Sequence, residues 1–219
     1  MDLYAAMRNT PAMRRFTQDP VEREVLHRVL DNARFAPSGG NRQGWRVVAV
    51  QDADTRRRLR ELYVPHWDAY IEANGVRALL DGADPPPGMS PGRLQMLRNT
   101  DAFARHIDDV PLHLIVCAEL AALAITDAGL SRPSIVGGAS IYPFVQNVLL
   151  ALRAEGLGAS LTTLIVPAEQ ELRALLGLPD GIAVAAHVAV GYPAVDWPRK
   201  LARNPVESFA YGERWGEPL

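Results

Sequence analysis

The stretch Ala36-Pro37-Ser38-Gly39-Gly40-Asn41-Arg42-Gln43-Gly44-Trp45 constrains this chain more than any other, because regular structure pins both of its ends. Upstream, Val21, Val25, Leu26, Val29, Leu30 and Ala33 recur at helical spacing. Asp19, Pro20 and Glu22 stand at their start as a cap, a first-turn proline and a capping-box acid, so a helix is expected to end near Ala36. Downstream, Trp45, Val47, Val48, Ala49 and Val50 form a short β-branched run that stops at Gln51-Asp52 and reads as a buried strand. In between, Gly39 and Gly40 free the backbone to approach a ligand, and Ser38, Asn41 and Gln43 offer donors and acceptors suited to a flat heteroaromatic ring. An ordinary helix-to-strand loop rich in turn formers has the same composition.

The 219 residues suffice for a single domain with room for an insertion. A formal net charge of -2 leaves no basic footprint for nucleic acid. The lone cysteine, Cys117, sits in the apolar run Leu112 to Ala118, which excludes an intrachain disulfide and suits a reducing compartment. With no signal-peptide core and no apolar run long enough for a bilayer, the expectation is a cytoplasmic protein without membrane partners.

Periodicity predicts helix from Asp54 to about Leu80, then a Pro- and Gly-rich break over 81–92 that reads as a surface loop or lid. Helix follows over Arg93 to His106 and strand around Leu112 to Ala118. A long apolar helix from about Ile135 to Glu155 should kink at Pro143 and be buried on nearly all sides. Gly156-Leu157-Gly158 ends it; strand (Ala159 to Leu164), helix (Pro167 to Leu176) and strand (Ile182 to Val190) complete the order. The tail Ala194 to Leu219 lacks a period yet carries Trp197, Phe209, Tyr211 and Trp215, rings it cannot bury by itself. It either wraps another subunit or packs on its own domain.

Two basic clusters, Arg8 with Arg14 and Arg15, and Arg199 with Lys200 and Arg203, are each able to hold a phosphate through paired hydrogen bonds, and each is equally an ordinary solvated face. The five histidines show no metal-ligand spacing, and His113 and His187 lie in strand-like apolar runs typical of core histidines. Gly138-Ala139-Ser140-Ile141 and Gly158-Ala159-Ser160-Leu161 lack the second glycine of a nucleophile elbow, and no phosphate-cradling loop is present, which leaves hydrolase and kinase chemistry without support.

In their order, the arginines before Phe16, the Asp19-Pro20-Val21 helix start, the Ala36 to Trp45 segment, Gly156-Leu157-Gly158 and Gly191-Tyr192-Pro193 resemble the FMN-dependent nitroreductase family nearly end to end. The resemblance implies an α+β fold, a mixed sheet sandwiched by helices, in one domain spanning 1–219. It also implies an intertwined homodimer that exchanges its C-terminal arms (194–219), with a lid or insertion over about 54–107. By position it assigns cofactor contacts to Arg8, Arg14, Arg15, Pro37, Ser38, Gly39, Asn41, Gln43, Leu161, Thr162, Thr163, Lys200 and Arg203. The loop residues from Pro37 to Gln43 would serve the partner subunit's flavin. The pattern departs at Pro11 and Ala12, where many members carry a basic residue and a serine, and Arg8 is placed to compensate.

The implied function is hydride transfer from NADH or NADPH through FMN to an electron-poor acceptor such as a nitroaromatic, a quinone or another flavin. No protein general base is needed, because the cofactor carries the chemistry. Tyr63, His66, Trp67 and Tyr70 are expected to wall the substrate pocket, although their spacing equally fits helix packing. Other possibilities are a substrate-specific dehydrogenase or dehalogenase of the same fold, and a non-catalytic FMN store or sensor.

Overall fold

In the computed structural model, which describes residues 2–219, the two most apolar runs form the middle of the sheet. Its strands are β1 (Trp45–Val50), β2 (Leu112–Glu119), β3 (Gly158–Thr162) and β4 (Ile182–Gly191), antiparallel in the order β1-β2-β4-β3. Unbroken hydrophobic runs such as Leu112 to Ala118 need cover on both faces, and helices provide it. On one face Leu112, Leu114 and Val116 meet α2 (Arg23–Ala33) and α6 (Tyr142–Ala154). On the other, Ile115, Cys117 and Val184 meet α3 (Ala53–Ala73), α5 (Pro91–Arg105) and α7 (Glu169–Leu176). Trp45 stacks on Phe144 with ring centroids 4.9 Å apart, fixing the end of the Ala36–Trp45 connection to α6. No helix among the described residues is long and apolar enough to cross a membrane.

The expected kink at Pro143 is absent. Residues 136–140 form a separate helical turn and Pro143 lies in the first turn of α6, where a missing N–H costs nothing. All-round burial of this helix is also not found within one chain: Phe144, Val145, Val148 and Leu152 are buried, Leu149, Leu150 and Ala151 are half-buried, and Tyr142 is exposed. The cap of α2 differs too. Glu22 occupies the capping position without a side-chain bond, because Asp19 accepts from the Thr17 hydroxyl instead (2.7 Å). The helix expected over 54–80 is two, α3 and α4 (Val76–Leu80), parted by a turn at Asn74-Gly75, and Pro65 sits inside α3. β3 stops at Thr162 because the chain turns there, with Leu164 N donating to Thr162 Oγ1 (3.2 Å).

The segment 54–107 is tied together by acids. Asp68 accepts from Arg77 and from Arg105 (2.8 Å), while Asp101 accepts from Trp67 Nε1 (2.8 Å) and Arg105 Nε (3.1 Å).

Before α2 the chain runs from α1 (Leu3–Asn9) as a strap across the end of the sheet. Met13 N donates to Ala159 O (2.8 Å), Thr17 N to Tyr192 O (2.9 Å) and Ala194 N to Arg15 O (2.9 Å). Among the described residues, parallel pairing is confined to this strap, at the isolated bridge Ala12–Ala159. Glycine is required beneath it: a Cβ on Gly158 would lie 2.7 Å from Met13 Cγ and 2.9 Å from Met13 Cβ. The strap thereby fixes where Arg14 stands.

Candidate functional site

Arg14 leaves the strap half-buried and, among the described residues, makes no ion pair or hydrogen bond. Burial pulls its guanidinium below the ordinary arginine value, against the opposing influence of the Tyr63 phenol beside it. It stays cationic at any ordinary pH, so the protein holds a partly desolvated positive charge without a counter-ion. Next to it Tyr63 Oη lies 3.5 Å from Thr162 Oγ1, which joins α3 to the end of β3. Burial raises the Tyr63 phenol above its ordinary value, so it remains protonated and able to donate. Arg14, Arg15, Phe16, Asn99, Phe103 and His106 line an adjacent cleft of about 420 Å³. Phe16 and Phe103 stand 6.4 Å apart across it.

A second basic group forms where the two ends of the chain meet. Leu201 N donates to Arg8 O (2.9 Å), and the cleft of about 550 Å³ beside this bond is lined by Asp2, Ala5, Arg8, Asn9, Arg199 and Lys200. Asn9 Oδ1 is buried with no partner. The three cations form a donor set suited to phosphate oxygens, to which Asn9 Oδ1, an acceptor, adds nothing. Arg203 does not line this cleft within one chain, its Nη1 donating to the neighbouring Ala202 carbonyl (2.7 Å), whereas Arg199 lines it beside Lys200.

The Ala36–Trp45 connection is strained in the way a ligand-facing loop can be. Gly40, Asn41 and Gln43 have φ of 60°, 52° and 52°, left-handed values that are uncommon for the two non-glycine residues. The constraints are Gly39 N to Ser140 Oγ (3.0 Å), Gln43 N to Ser38 Oγ (3.0 Å) and Gln43 Nε2 to Asn41 Oδ1 (3.1 Å). Pro37, Gly39, Asn41 and Gln43 are exposed and Ser38 is half-buried.

This loop and the arginines lie at opposite ends of the sheet. Gly44 O accepts from Glu119 N near Ala118, which pairs with Ala183, whereas the strap pairs with Ala159, opposite Val190. Seven residue steps separate Ala183 from Val190, roughly 23 Å of strand. Within one chain no side chain bridges that span.

Of the expected flanking residues, Leu161 and Thr163 are exposed and Thr162 is half-buried. On α3, Tyr63 and Trp67 are enclosed in the core, Trp67 bound to Asp101; His66 is half-buried and Tyr70 exposed, its ring 5.9 Å from that of Trp67. Trp197 of the tail packs under Arg153, whose guanidinium carbon is 3.7 Å from the ring centroid, while Phe209 and Trp215 remain exposed. The sequence signalled Arg199 only as part of a charge cluster. It gave no sign that His113 and His187 touch, since that depends on the register of two strands.

A family model described as the nitroreductase family matches residues 6–192. The NADH dehydrogenase of Thermus thermophilus is 31% identical over 201 residues, an alignment covering 89% of this chain and 88% of that protein. A solved structure of oxidised iodotyrosine deiodinase bound to FMN and 3-iodo-L-tyrosine superposes with a TM-score of 0.67 at 25% identity, covering 94% of this chain and 96% of that one. A BluB-like flavoprotein from Clostridium difficile 630 gives a TM-score of 0.71 at 18% identity, over 98% of this chain and all (100%) of that one, and so shows the fold alone. With a family model spanning most of its length and a relative at 31% identity over nearly all of it, this chain belongs to the nitroreductase family.

Proposed function

We propose that this protein is an FMN-dependent oxidoreductase working as a homodimer, which carries hydride from NADH or NADPH to an electron-poor acceptor such as a nitroaromatic, a quinone or another flavin. The observation that carries this reading is Arg14, a half-buried cation without a counter-ion beside the hydroxyls of Tyr63 and Thr162, in a chain whose two ends gather Arg8, Arg199 and Lys200. These residues fit a ligand with a phosphate at one end and a flat polar ring at the other. A relative named NADH dehydrogenase and a 25%-identical structure bound to FMN support the same choice.

FMN, when bound, supplies the capacity to take hydride from a nicotinamide and pass it on. The chain's own residues bind and polarise. Arg8, Arg199 and Lys200 neutralise the phosphate, Arg14 with Arg15 sets positive charge against the polar edge of the ring, and Leu161, Thr162 and Thr163 flank it. Since Pro37, Ser38, Gly39, Asn41 and Gln43 lie at the far end of the same sheet, they border the ring only of a second copy, which is the reason for proposing a dimer. The tail 194–219, with Phe209 and Trp215 exposed, is the arm that reaches across.

The phosphate assignment predicts a split between two ligands. In the variant Arg8→Ala/Lys200→Ala, FMN should bind about 10- to 100-fold more weakly, the loss of one or two charge-assisted contacts. Riboflavin, which has no phosphate, should bind as it does to the parent. Fluorescence quenching titrations of both ligands measure this; equal weakening of both, or of neither, would contradict the phosphate role.

A further inference from the structure

From Ala194 to Pro205 the chain forms neither helix nor strand, so single contacts decide where its charges stand. Ala194 N donates to Arg15 O (2.9 Å), and Leu201 N donates to Arg8 O (2.9 Å). Between and at these bonds Trp197, Pro198 and Leu201 are half-buried, whereas Arg199 and Lys200 are exposed. The two cations that line the cleft with Arg8 therefore sit on a short span of irregular chain whose flanking side chains turn inward. From Ala202 to Phe209 every residue is exposed.

Trp197 turns onto α6. The Arg153 guanidinium carbon lies 3.7 Å from its ring centroid, the distance of a cation resting on the indole face. Arg153 stands in the last turn of α6, where the carbonyl end of the helix also favours a cation. Among the described residues its guanidinium makes no ion pair or hydrogen bond, and its Nε is buried without a partner, which leaves the indole as the group that receives its charge. α1 rests on the same helix, with Leu3 and Ala6 lining a groove together with Leu150, Ala151 and Ala154. α6 thus carries both halves of the cation set, Arg8 through α1 and Arg199 with Lys200 through Trp197.

We propose that Arg153 and Trp197 form a clasp that positions Arg199 and Lys200 for a phosphate, and so sets how strongly the site prefers FMN to riboflavin; the choice of these two ligands rests on the flavin reading above. Neither member of the clasp lines the phosphate cleft, so both are positioning residues. Their influence travels along the backbone, since Trp197 stands two residues before Arg199. Without the stack, residues 195–200 are free between the bonds at Ala194 and Leu201, and ordering them offsets part of what the phosphate contacts contribute. Arg14, assigned to the ring, lies outside this span, and binding of the ring is left as it was.

Two measurements on the full chain test the clasp, one with flavin and one without. In Trp197→Ala, quenching of flavin fluorescence should show FMN bound about five- to tenfold more weakly and riboflavin bound as by the parent. Arg153→Met should repeat this result, and Trp197→Phe, which keeps an aromatic face, should recover most of the affinity. Equal weakening of both flavins, no weakening of FMN, or a loss that Trp197→Phe does not recover would overturn the positioning role. In the ligand-free protein, trypsin should cut after Arg199 and Lys200 about tenfold faster in Trp197→Ala and Arg153→Met than in the parent, while the cut after Arg214, beyond the clasp, keeps its rate. Unchanged cutting after Arg199 and Lys200 would overturn the clasp itself. If the parent binds no FMN at all, the flavin reading falls, and proteolysis alone decides whether Trp197 holds this part of the tail.

Discussion

Between pH 6.5 and pH 4 the folded protein is expected to lose about 3 kcal/mol of stability from His187 alone. Burial lowers its value from 6.5 to about 4. In the unfolded chain the ring takes up a proton as soon as the pH falls below 6.5, whereas the folded protein refuses it until about 4. Acid therefore favours unfolding across that window, and the loss stops growing once the folded state also protonates. His113, lowered by burial and by its histidine neighbour, acts in the same direction.

The slope can be assigned to this pair because the other strongly shifted acid works lower. Hydrogen bonds from Ile135 N, the Ser134 hydroxyl and Arg132 hold Asp127 at about 2, so its contribution is lost only below the ordinary carboxylate value of 3.8. Replacing both imidazoles by leucine leaves no orphaned partner. Urea unfolding of His113→Leu/His187→Leu at pH 7, 5.5 and 4 should show a curve flatter than the parent's by about 3 kcal/mol over the window. Parallel curves would mean that the buried pair is not what acid attacks.

In Arg14→Ala, affinity for FMN should fall about 10- to 100-fold while the ligand-free protein stays as stable as the parent or gains slightly. The two halves of this result come from one fact. A half-buried cation without a partner costs the empty fold desolvation energy and returns it only when an electron-rich group binds. A residue serving the fold alone would show the opposite pattern. Riboflavin should weaken along with FMN, unlike in Arg8→Ala/Lys200→Ala, because Arg14 is assigned to the ring and not to the phosphate. Arg14→Lys should recover only part of the loss, since an ammonium keeps the charge without the planar fork. Paired ligand titrations and urea unfolding measure this; unchanged FMN affinity, or a large loss of stability in the empty protein, would contradict it.

The Ala36–Trp45 connection was legible because local signals bound it, with apolar periodicity of 3.6 before it and a β-branched run after it. The start of α6 was not legible in the same way. Pro143 inside a long apolar run reads as a kink, and only the tertiary turn over 136–140 shows that the helix begins beside it. The division of 54–80 into α3 and α4 was missed for a related reason, since apolar residues continue past Asn74-Gly75. At the site, charge clustering marked Arg8, Arg14 and Lys200, but only chain topology brings the two ends together and sets Arg199 in the same cleft. His113 and His187 each stand alone in an apolar strand. Their contact follows from a register that pairs Ile115 with His187, information that no window of sequence contains.

Anaerobic titration of the FMN-supplemented protein with NADPH and with NADH, followed by visible flavin absorbance, decides whether the protein binds FMN and passes it hydride from a nicotinamide. FMN should bind stoichiometrically, and the bound flavin should bleach with at least one of the two nicotinamides. Flavin that binds but stays oxidised with both would contradict an oxidoreductase and favour storage or sensing, and failure to bind FMN would contradict the site itself.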